Sequence, residues 1–342
     1  MSSARVVAIG LATMVMACGR SAAPGGAPAG SAEPAGATGA VGKGQVIEGR
    51  FRAAALGVDK RYRAWLPAGY DADPARRWPV VYMLHGLGGD EDNWLEQGKL
   101  DAAADAIGLP AIVVMPDGDS GFYANRATPY DAAACRRGPR PFTRDAADAY
   151  CVQDARYEDY ITKDLVAHVD ATYRTIADRR GRAIGGLSMG GFGALMLAMR
   201  HPDLYASAAS HSGVDALLYA GPHPYAKGQV ALATDVARWG EGVEPLGGFV
   251  RGIFGGDLAA WQAHDPAHLA GRLEPGRLAL YLDCGTEDGL LLHDGAQYLH
   301  DVLVARGIDH AWYLGPGGHD FGFWSERIDD SLAFHAAVFA RR

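Results

Sequence analysis

The sequence predicts an α/β fold: a mostly parallel, doubly wound sheet with helices on both faces and antiparallel strands at one N-terminal edge. From about residue 45, short apolar runs alternate with segments whose apolar residues recur every three or four positions. The runs are nearly continuous in apolar residues, which is typical of parallel strands buried on both faces. Strands that alternate with helices need crossover connections, and these connections favour a parallel sheet.

The elements follow in order along the chain. The stretch QVIEGRFRAAALGVDKRYRAWLPAGY predicts the antiparallel edge strands. The predicted parallel strands are RWPVVYMLHG, LPAIVVMPDG, RRGRAIGGLS, YASAASHSG, RLALYLDCGTED and HAWYLGPGGH. The predicted helices are KLDAAADAIG, YEDYITKDLVAHVDATY, GGFGALMLAMRHP, DGAQYLHDVLVARG and RIDDSLAFHAAVFA. We therefore expect a single α/β domain over residues 45–342.

The N-terminus has the pattern of an export signal. Residues 1–17 contain Arg5, an apolar run and small residues before Cys18, and VMAC resembles a bacterial lipobox. A signal cut just before Cys18 would leave that cysteine to carry lipid, whereas an ordinary secretory signal would be cut near Ala17 or Ala23. Residues 18–44 are mainly Gly, Ala, Pro and Ser and predict a flexible tether. We expect an exported protein, lipid-anchored to the bacterial cell envelope or secreted.

Composition narrows the class of partner. Apolar residues make up 49% and charged residues 21% of the chain, as in an ordinary globular protein. The net charge of −8 and the lack of a basic tract argue against nucleic acid. Beyond the N-terminus no apolar stretch has the length of about 20 residues that a membrane-spanning helix needs. Membrane contact is therefore expected only through the lipid anchor, and the oligomeric state is not readable.

Three cysteines follow Cys18. Cys135 and Cys151 bracket a polar, proline-containing loop, and an oxidising compartment would favour a disulfide between them. Neither CxxC nor HxxxH spacing lies near this pair in the sequence, so a metal site is not expected. Cys284 follows an apolar run and is expected to be a buried, unreactive thiol.

The stretch AIGGLSMGGFGAL places Ser188 between a predicted strand and a predicted helix. A G-x-S-x-G pattern in this context is typical of a nucleophile elbow, in which a strained turn exposes the serine. Gly186 and Gly190 would allow the close approach of strand and helix that this turn needs. A small residue in a glycine-rich loop is the plain alternative.

A nucleophilic serine needs a base and an acid that orients the base. His319 follows the last predicted strand and is the preferred base, with His211 a weaker rival, while His201 and His168 are expected to be structural or solvated. Asp288 is the best placed acid, but spacing does not separate it from Asp283 and Glu287. Instead of supplying a catalytic acid, the GTED segment could form a solvated turn with an acidic residue near the start of the following helix.

The oxyanion of an acyl-transfer reaction needs two backbone N–H donors. We expect one from Met189, directly after Ser188, and one from Leu87 in the loop MLHGLGGDEDNW. Gly86 would let the backbone of this loop approach a substrate. A phosphate-binding loop is disfavoured because the lysine and serine or threonine of a P-loop are absent.

These residues resemble the "Putative esterase" family of the α/β-hydrolase fold. The family includes esterase D (S-formylglutathione hydrolase), feruloyl esterases, tributyrin-type esterases and antigen 85 mycolyltransferases. The resemblance is carried by PVVYMLHGLGGDEDNW, VVMPDG, GGLSMGGFGALMLAMRHPDLY, GTEDGLL and GGHDFGFW. It implies Ser188 as nucleophile, Asp288 as acid and His319 as base, and an oxyanion hole formed by Leu87 and Met189. It implies neither a metal nor an organic cofactor.

Two segments depart from the family pattern, and both are expected to set specificity: residues 129–156, which carry the cysteine pair, and residues 219–265. Four aromatic residues are candidates either for a substrate pocket or for packing: Trp94, Phe122, Tyr123 and Trp324.

The expected function is an exported serine esterase acting on feruloyl or acetyl carbohydrate esters, or on short-chain acyl esters. A mycolyltransferase-like acyltransferase and an S-formylglutathione hydrolase are alternatives, the latter disfavoured by export. A non-catalytic surface binding protein is the alternative from another class. It is disfavoured because all three triad residues are present.

Overall fold

A computed structural model describes residues 42–140, 142–143 and 145–341. Eight strands form one sheet in the order β1-β2-β4-β3-β5-β6-β7-β8. The sheet is parallel from β4 to β8, whereas β1 pairs antiparallel with β2, and β2 pairs antiparallel with β4. The strands are β1 Gln45–Ala53, β2 Val58–Leu66, β3 Val80–Leu84, β4 Ile112–Pro116, β5 Arg182–Leu187, β6 Ser207–His211, β7 Ala279–Gly285 and β8 His310–Gly315.

Twelve α-helices lie within the described residues. They are α1 Asn93–Glu96, α2 Leu100–Ala106, α3 Ala132–Arg137, α4 Ala147–Tyr150, α5 Tyr157–Asp159, α6 Val166–Thr172, α7 Met189–Arg200, α8 Leu246–Phe254, α9 Leu258–Gln262, α10 Pro266–Ala270, α11 Leu292–Ala305 and α12 Phe321–Ala340. A π-helical segment, Tyr160–Leu165, joins α5 to α6. None of the helices in this part of the chain combines the length and apolar character that a membrane crossing requires.

Apolar side chains cover both faces of the sheet. On one face α2 and α12 pack against the central strands through Leu100, Ile328 and Leu332. On the other face α6, α7 and α11 contribute a larger core that includes Phe192 and Leu299. All residues of β3, β4, β5 and β6 are buried. This two-sided burial explains why their sequences lack an alternating polar pattern.

The structure confirms the predicted fold class, including the antiparallel N-terminal edge. Each apolar run that predicted a parallel strand forms one, and the five predicted helical segments form α2, the α5–α6 segment, α7, α11 and α12. The short helices between residues 129 and 265 other than α5–α7 were not predicted. Of these helices, α3 and α9 begin with a side-chain cap, and α8 buries Val250, Ile253 and Phe254. Asp257, for example, accepts a hydrogen bond from the backbone N–H of Ala259 at the start of α9.

The two segments that depart from the family pattern lie against each other. In residues 129–156, a disulfide bond joins Cys135 on α3 to Cys151 just after α4. The ring of Phe142 lies 5.2 Å from that of Phe249, which belongs to α8 in the other segment. Cys284, by contrast, is buried and unpaired, and burial raises the pKa of its thiol.

Removing the disulfide is expected to lower the free energy of unfolding by up to about 3 kcal/mol. This is the loop-closure term for a loop of 16 residues. A Cys135→Ser/Cys151→Ser double variant should unfold at a lower urea concentration than the parent under oxidising conditions. The two proteins should unfold together in reductant. Equal midpoints without reductant would show that the bond does not stabilise the domain.

The N-terminal predictions fall mostly outside the described residues. These are the signal over residues 1–17, lipidation of Cys18 and the tether as far as residue 41. Of the predicted tether, residues 42–44 are described, and the backbone N–H of Gly44 donates a hydrogen bond of 2.7 Å to Asp105. Strand β1 begins directly afterwards, at Gln45.

Candidate active site

The turn between β5 and α7 holds Ser188 in a strained conformation. Its φ is 54° and its ψ is −119°, and a positive φ is unfavourable for a residue that has a Cβ. Such a conformation costs about 1–3 kcal/mol and persists only where the surroundings enforce it. The Ser188 backbone is held on both sides, because its N–H donates to His211 O at 2.9 Å and its carbonyl accepts from Phe192 N at 3.0 Å.

Two glycines make this turn possible. A Cβ on Gly190 would lie 2.3 Å from the carbonyl oxygen of Leu84, at the end of β3. A Cβ on Gly186 would lie 2.4 Å from the backbone of Gly190. Both distances are shorter than real contacts, so only glycine fits. The helix start therefore touches both its own strand and the neighbouring one.

Ser188, His319 and Asp288 form a hydrogen-bonded chain at the carboxyl ends of the parallel strands. Ser188 Oγ lies 2.9 Å from His319 Nε2, and His319 Nδ1 lies 2.7 Å from Asp288 Oδ2. Ser188 follows β5, Asp288 follows β7 and His319 follows β8. The imidazole side chain is 16% exposed and the carboxylate is fully buried. A reactant can therefore approach the histidine, whereas water has little access to the acid.

The position of Asp288 distinguishes it from its two competitors. Its Oδ1 accepts a hydrogen bond from the backbone N–H of Leu290 at 2.8 Å, which fixes the carboxylate while Oδ2 faces the imidazole. Glu287, one residue earlier, is exposed to solvent. Asp283 lies inside β7 and its Oδ2 accepts hydrogen bonds from Tyr281 OH and from a different histidine.

That different histidine is His211, which belongs to a second serine–histidine–aspartate chain. His211 Nδ1 lies 2.8 Å from Asp283 Oδ2, and His211 Nε2 lies 2.9 Å from Ser331 Oγ. His211, Asp283 and Ser331 are each 0% exposed. These three side chains leave no room for a substrate. Their hydrogen bonds join α12 to the sheet, so His211, the weaker candidate for the base, has a structural role.

The two other histidines considered in the sequence also have structural partners. His201 Nε2 lies 2.7 Å from Glu158 Oε1. His168 stacks on Phe51 and lies 3.0 Å from the hydroxyl of Tyr62. Neither reaches Ser188.

The predicted oxyanion donors lie on either side of Ser188. Met189 is the first residue of α7, where the backbone N–H has no partner within the helix. Leu87 follows Gly86, and a Cβ on Gly86 would lie 3.3 Å from Ser188 Cβ. Within the described part of the chain, neither the Leu87 nor the Met189 N–H donates a hydrogen bond. Both remain available to a substrate oxygen.

A buried histidine shapes the loop that carries Leu87. His85 Nε2 accepts a hydrogen bond from Gly118 N at 2.9 Å, so the proton of the neutral ring is on Nδ1, which donates to Gly86 O at 2.8 Å. Burial lowers the pKa of His85, in keeping with a neutral ring. Tyr123 OH donates to His85 O at 2.9 Å. The loop is thus held from both sides.

Behind this loop lies a buried charge cluster that sequence reasoning missed. Lys60 Nζ lies 2.5 Å from Asp117 Oδ2 and 2.7 Å from Asp119 Oδ2, and all three side chains are almost fully buried. Burial raises the pKa of Asp119 to about 8. Although burial alone would raise that of Asp117 too, the charge of Lys60 keeps it below its usual value.

The aspartates of this cluster and Asp145 together have the spacing of a cation site. Lys60 Nζ, however, lies within 3.9 Å of a carboxylate oxygen of each. Its ammonium therefore occupies the place that a metal ion would take.

The four aromatic pocket candidates are buried, and most of their contacts are packing contacts. Trp94 donates to Leu84 O at 3.0 Å, and Phe122 packs edge-on against Phe192. Tyr123 is 0% exposed and supports His85. Trp324 differs, because its ring lies 5.0 Å from that of His319 and its Nε1 donates to Ser212 Oγ at 3.1 Å. Of the four, Trp324 is the one in contact with the triad, where it limits how His319 can turn.

Comparison with known proteins matches the chain to one family and to several solved structures with a similar fold. The model of the family described as "Putative esterase" matches residues 53–335. The esterase Rv1288 of Mycobacterium tuberculosis is 30% identical over 288 residues, which cover 80% of this chain and 55% of that protein. The S-formylglutathione hydrolase of Bos taurus is 28% identical, and the match covers 75% of this chain and 82% of that one. This chain thus spans about half the length of the M. tuberculosis relative.

Solved structures support the fold. A ferulic acid esterase superposes with a TM-score of 0.62 at 20% identity, covering 86% of this chain and 99% of the other. The serine hydrolase FphF of Staphylococcus aureus superposes with a TM-score of 0.63 at 21% identity, with the same two coverages. At these identities the likeness establishes the α/β-hydrolase fold alone.

Proposed function

Because the chain belongs to the "Putative esterase" family, we propose that it hydrolyses carboxylic esters through an acyl-enzyme on Ser188. The observation that carries the proposal is the hydrogen-bonded chain from Ser188 Oγ through His319 to Asp288. The residues come from three separate loops of the sheet edge and meet at a partly exposed point. That arrangement has the geometry of nucleophilic catalysis by a serine.

In the first half of the reaction Ser188 Oγ attacks the ester carbonyl carbon while His319 Nε2 takes the hydroxyl proton. The carbonyl oxygen becomes an oxyanion and accepts hydrogen bonds from the N–H groups of Leu87 and Met189. Asp288 stabilises the imidazolium and keeps Nε2 directed at the serine. His319 then donates its proton to the leaving alcohol, the C–O bond breaks, and an acyl ester remains on Ser188.

In the second half water replaces the alcohol. His319 removes a proton from the water as it attacks the acyl carbon. The tetrahedral intermediate collapses, and the proton passes back to Ser188 Oγ. The products are a carboxylic acid and the free enzyme. No step needs a metal ion or an organic cofactor.

We propose feruloyl or acetyl esters of carbohydrates, or short-chain acyl esters, as substrates. The endo-1,4-beta-xylanase/feruloyl esterase of Xylanibacter ruminicola is 26% identical over 170 residues, which cover 47% of this chain and 20% of that protein. The proposed cellular location is the bacterial envelope outside the cytoplasm. The Cys135–Cys151 bond supports that location, because structural disulfides are typical of oxidising compartments.

The test is hydrolysis of an ester panel by the domain from residue 45 onward. The panel contains 4-nitrophenyl acetate and butyrate, methyl ferulate, feruloylated arabinose and S-formylglutathione. Release of the acid, measured by chromatography, supports the proposal, and the preferred acyl group identifies the substrate class. No turnover of any member and no labelling of Ser188 by a fluorophosphonate would overturn it.

A further inference from the structure

Ser212 lies directly after β6, beside the turn that holds Ser188, and its backbone is strained. Its φ is 46°, in the left-handed region that favours glycine. Two backbone hydrogen bonds fix this part of the chain. Ser212 N–H donates to Asp283 O at 2.8 Å, and the preceding residue, His211, accepts from Ser188 N–H at 2.9 Å. Glycine would adopt this φ at a lower cost, so a serine here indicates that the hydroxyl is used.

The Ser212 side chain is fully buried and has two hydrogen-bonding neighbours. Its Oγ accepts a hydrogen bond of 3.1 Å from Nε1 of Trp324, which lies in the first turn of α12. Burial raises the pKa of the Cys284 thiol, and a hydrogen bond from Ser212 opposes that rise. A hydroxyl has one donor and two acceptor positions, so it can serve the indole and the thiol at the same time.

Each of these two neighbours contacts one member of the proposed triad. The ring of Trp324 lies 5.0 Å from that of His319, at an interplanar angle of 86°. Cys284 Sγ donates to Asp288 Oδ2 over 3.8 Å, and the same oxygen faces His319 Nδ1. The donors therefore follow one another from the indole N–H through the hydroxyl and the thiol to the carboxylate that orients the imidazole.

His319 depends on such side-chain contacts because its backbone belongs to a glycine-rich connection. Residues 316–320, PGGHD, join β8 to α12, and Gly317 has a φ of 139°. Trp324 follows shortly after His319, and its backbone N–H donates to Asp320 O at 3.2 Å. A hydrogen bond from the Trp324 indole to the end of β6 thus joins the segment that carries the base to the strand beside β5.

We propose that Ser212 is a positioning residue for the pair formed by His319 and Asp288. The inference rests on the proposed function and adds the group that keeps the imidazole in place while it carries the proton. In both halves of the reaction His319 becomes an imidazolium, and a ring that turns away slows the next proton transfer. Removing the Ser212 hydroxyl weakens both the ring contact and the support of the carboxylate.

The first test removes the hydroxyl in two ways. Ser212→Ala keeps a Cβ at the strained φ, whereas Ser212→Gly relieves the strain, so the glycine variant should melt at the same temperature or higher. Both should lower kcat for 4-nitrophenyl butyrate by about five- to tenfold, the effect of one lost hydrogen bond. KM should stay within about twofold of the parent. Active enzyme is counted by complete fluorophosphonate labelling, so a smaller folded fraction does not lower kcat.

A double-mutant cycle tests whether Ser212 acts through Trp324. Trp324→Phe removes the indole N–H and keeps an aromatic ring in the first turn of α12. Each single change breaks the same hydrogen bond, so the double variant should lose clearly less kcat than the product of the two single losses. Losses that multiply would show that the two residues act independently and would overturn the inference.

The matched control is Ser207→Ala. Ser207 is the first residue of β6, is fully buried, and has its hydroxyl 2.8 Å from Nδ1 of His335 on α12. This serine therefore also links the same strand to the same helix through a ring nitrogen. We expect Ser207→Ala to lose stability and to keep the parental kcat, because its partner is His335 and not a neighbour of the triad.

The outcomes separate this inference from the proposed function. A parental kcat in Ser212→Ala, or a loss that appears in KM alone, overturns the inference and leaves the esterase proposal intact. An equal loss of kcat in Ser207→Ala also overturns it, since any link between β6 and α12 would then suffice. No turnover of any ester by the parent overturns the proposed function, and the inference with it.

Discussion

Replacing Ser188 with alanine is expected to lower kcat for ester hydrolysis by roughly 10⁴- to 10⁶-fold, because the proposed nucleophile is lost. The change removes one hydroxyl from a partly exposed turn and leaves the apolar core unaltered. The melting temperature should therefore stay close to that of the parent. The measurement is steady-state kinetics on the best ester of the panel, together with intact-mass analysis after a fluorophosphonate is added.

The fold itself supplies the matched control, Ser331→Ala. This change also removes a serine hydroxyl that lies 2.9 Å from a histidine Nε2, and that histidine also contacts an aspartate. The side chain is fully buried, so we expect a loss of stability of about 1–3 kcal/mol and no loss of fluorophosphonate labelling in the folded protein. Ser188→Ala that keeps full activity, or Ser331→Ala that abolishes labelling while folded, would contradict the assignment.

Replacing Lys60 with methionine is expected to lower the free energy of unfolding by about 3–5 kcal/mol. The change leaves the Asp117 carboxylate buried without its counter-charge and removes a hydrogen-bond donor from Asp119, and removal of one partner from a buried ion pair is strongly destabilising. Asp117 comes directly before Gly118, which donates a hydrogen bond to His85 behind the loop that carries Leu87, so kcat should also fall. Urea unfolding followed by tryptophan fluorescence measures the first effect.

A surface pair gives the control for Lys60. Lys227 lies 2.7 Å from Asp301 but is 73% exposed, so Lys227→Met should cost less than about 1 kcal/mol. Equal destabilisation by the two changes would show that burial does not determine the strength of the Lys60 cluster. Asp117→Asn within Lys60→Met should restore part of the loss, because the uncompensated carboxylate is removed.

The fold class could be predicted because strands that are buried on both faces are apolar along their whole length. The sequences of β3 and β4 are unbroken apolar runs, and in α7 and α11 apolar residues recur every three or four positions. Ser188 could be located for a similar reason, since the elbow needs glycines at fixed positions on both sides of it.

The choice between acids could not be made from spacing. Asp283 lies inside β7, and its side chain points towards His211 and α12, whereas Asp288 lies beyond the strand and points towards His319. Those directions depend on where the strand ends and on which loop faces it, and neither is recorded in a stretch as short as DCGTED.

Lys60 and the buried carboxylates around it were missed for a different reason. Lys60 lies on β2 and its partners follow β4, and the contact exists only because β2 pairs antiparallel with β4. A lysine in the polar run DKRYR reads as a solvated charge until the sheet order is known.

The buried chain of Ser331, His211 and Asp283 also bears on how enzymes are identified from atomic coordinates. A search template built from one hydroxyl, one imidazole and one carboxylate would match two groups among the residues that the structure describes, with nearly equal distances. One match opens to the outside and the other is closed on every side. Three side chains in the right order are therefore an incomplete definition of this kind of catalyst; a usable definition must include the empty space that admits the acyl group.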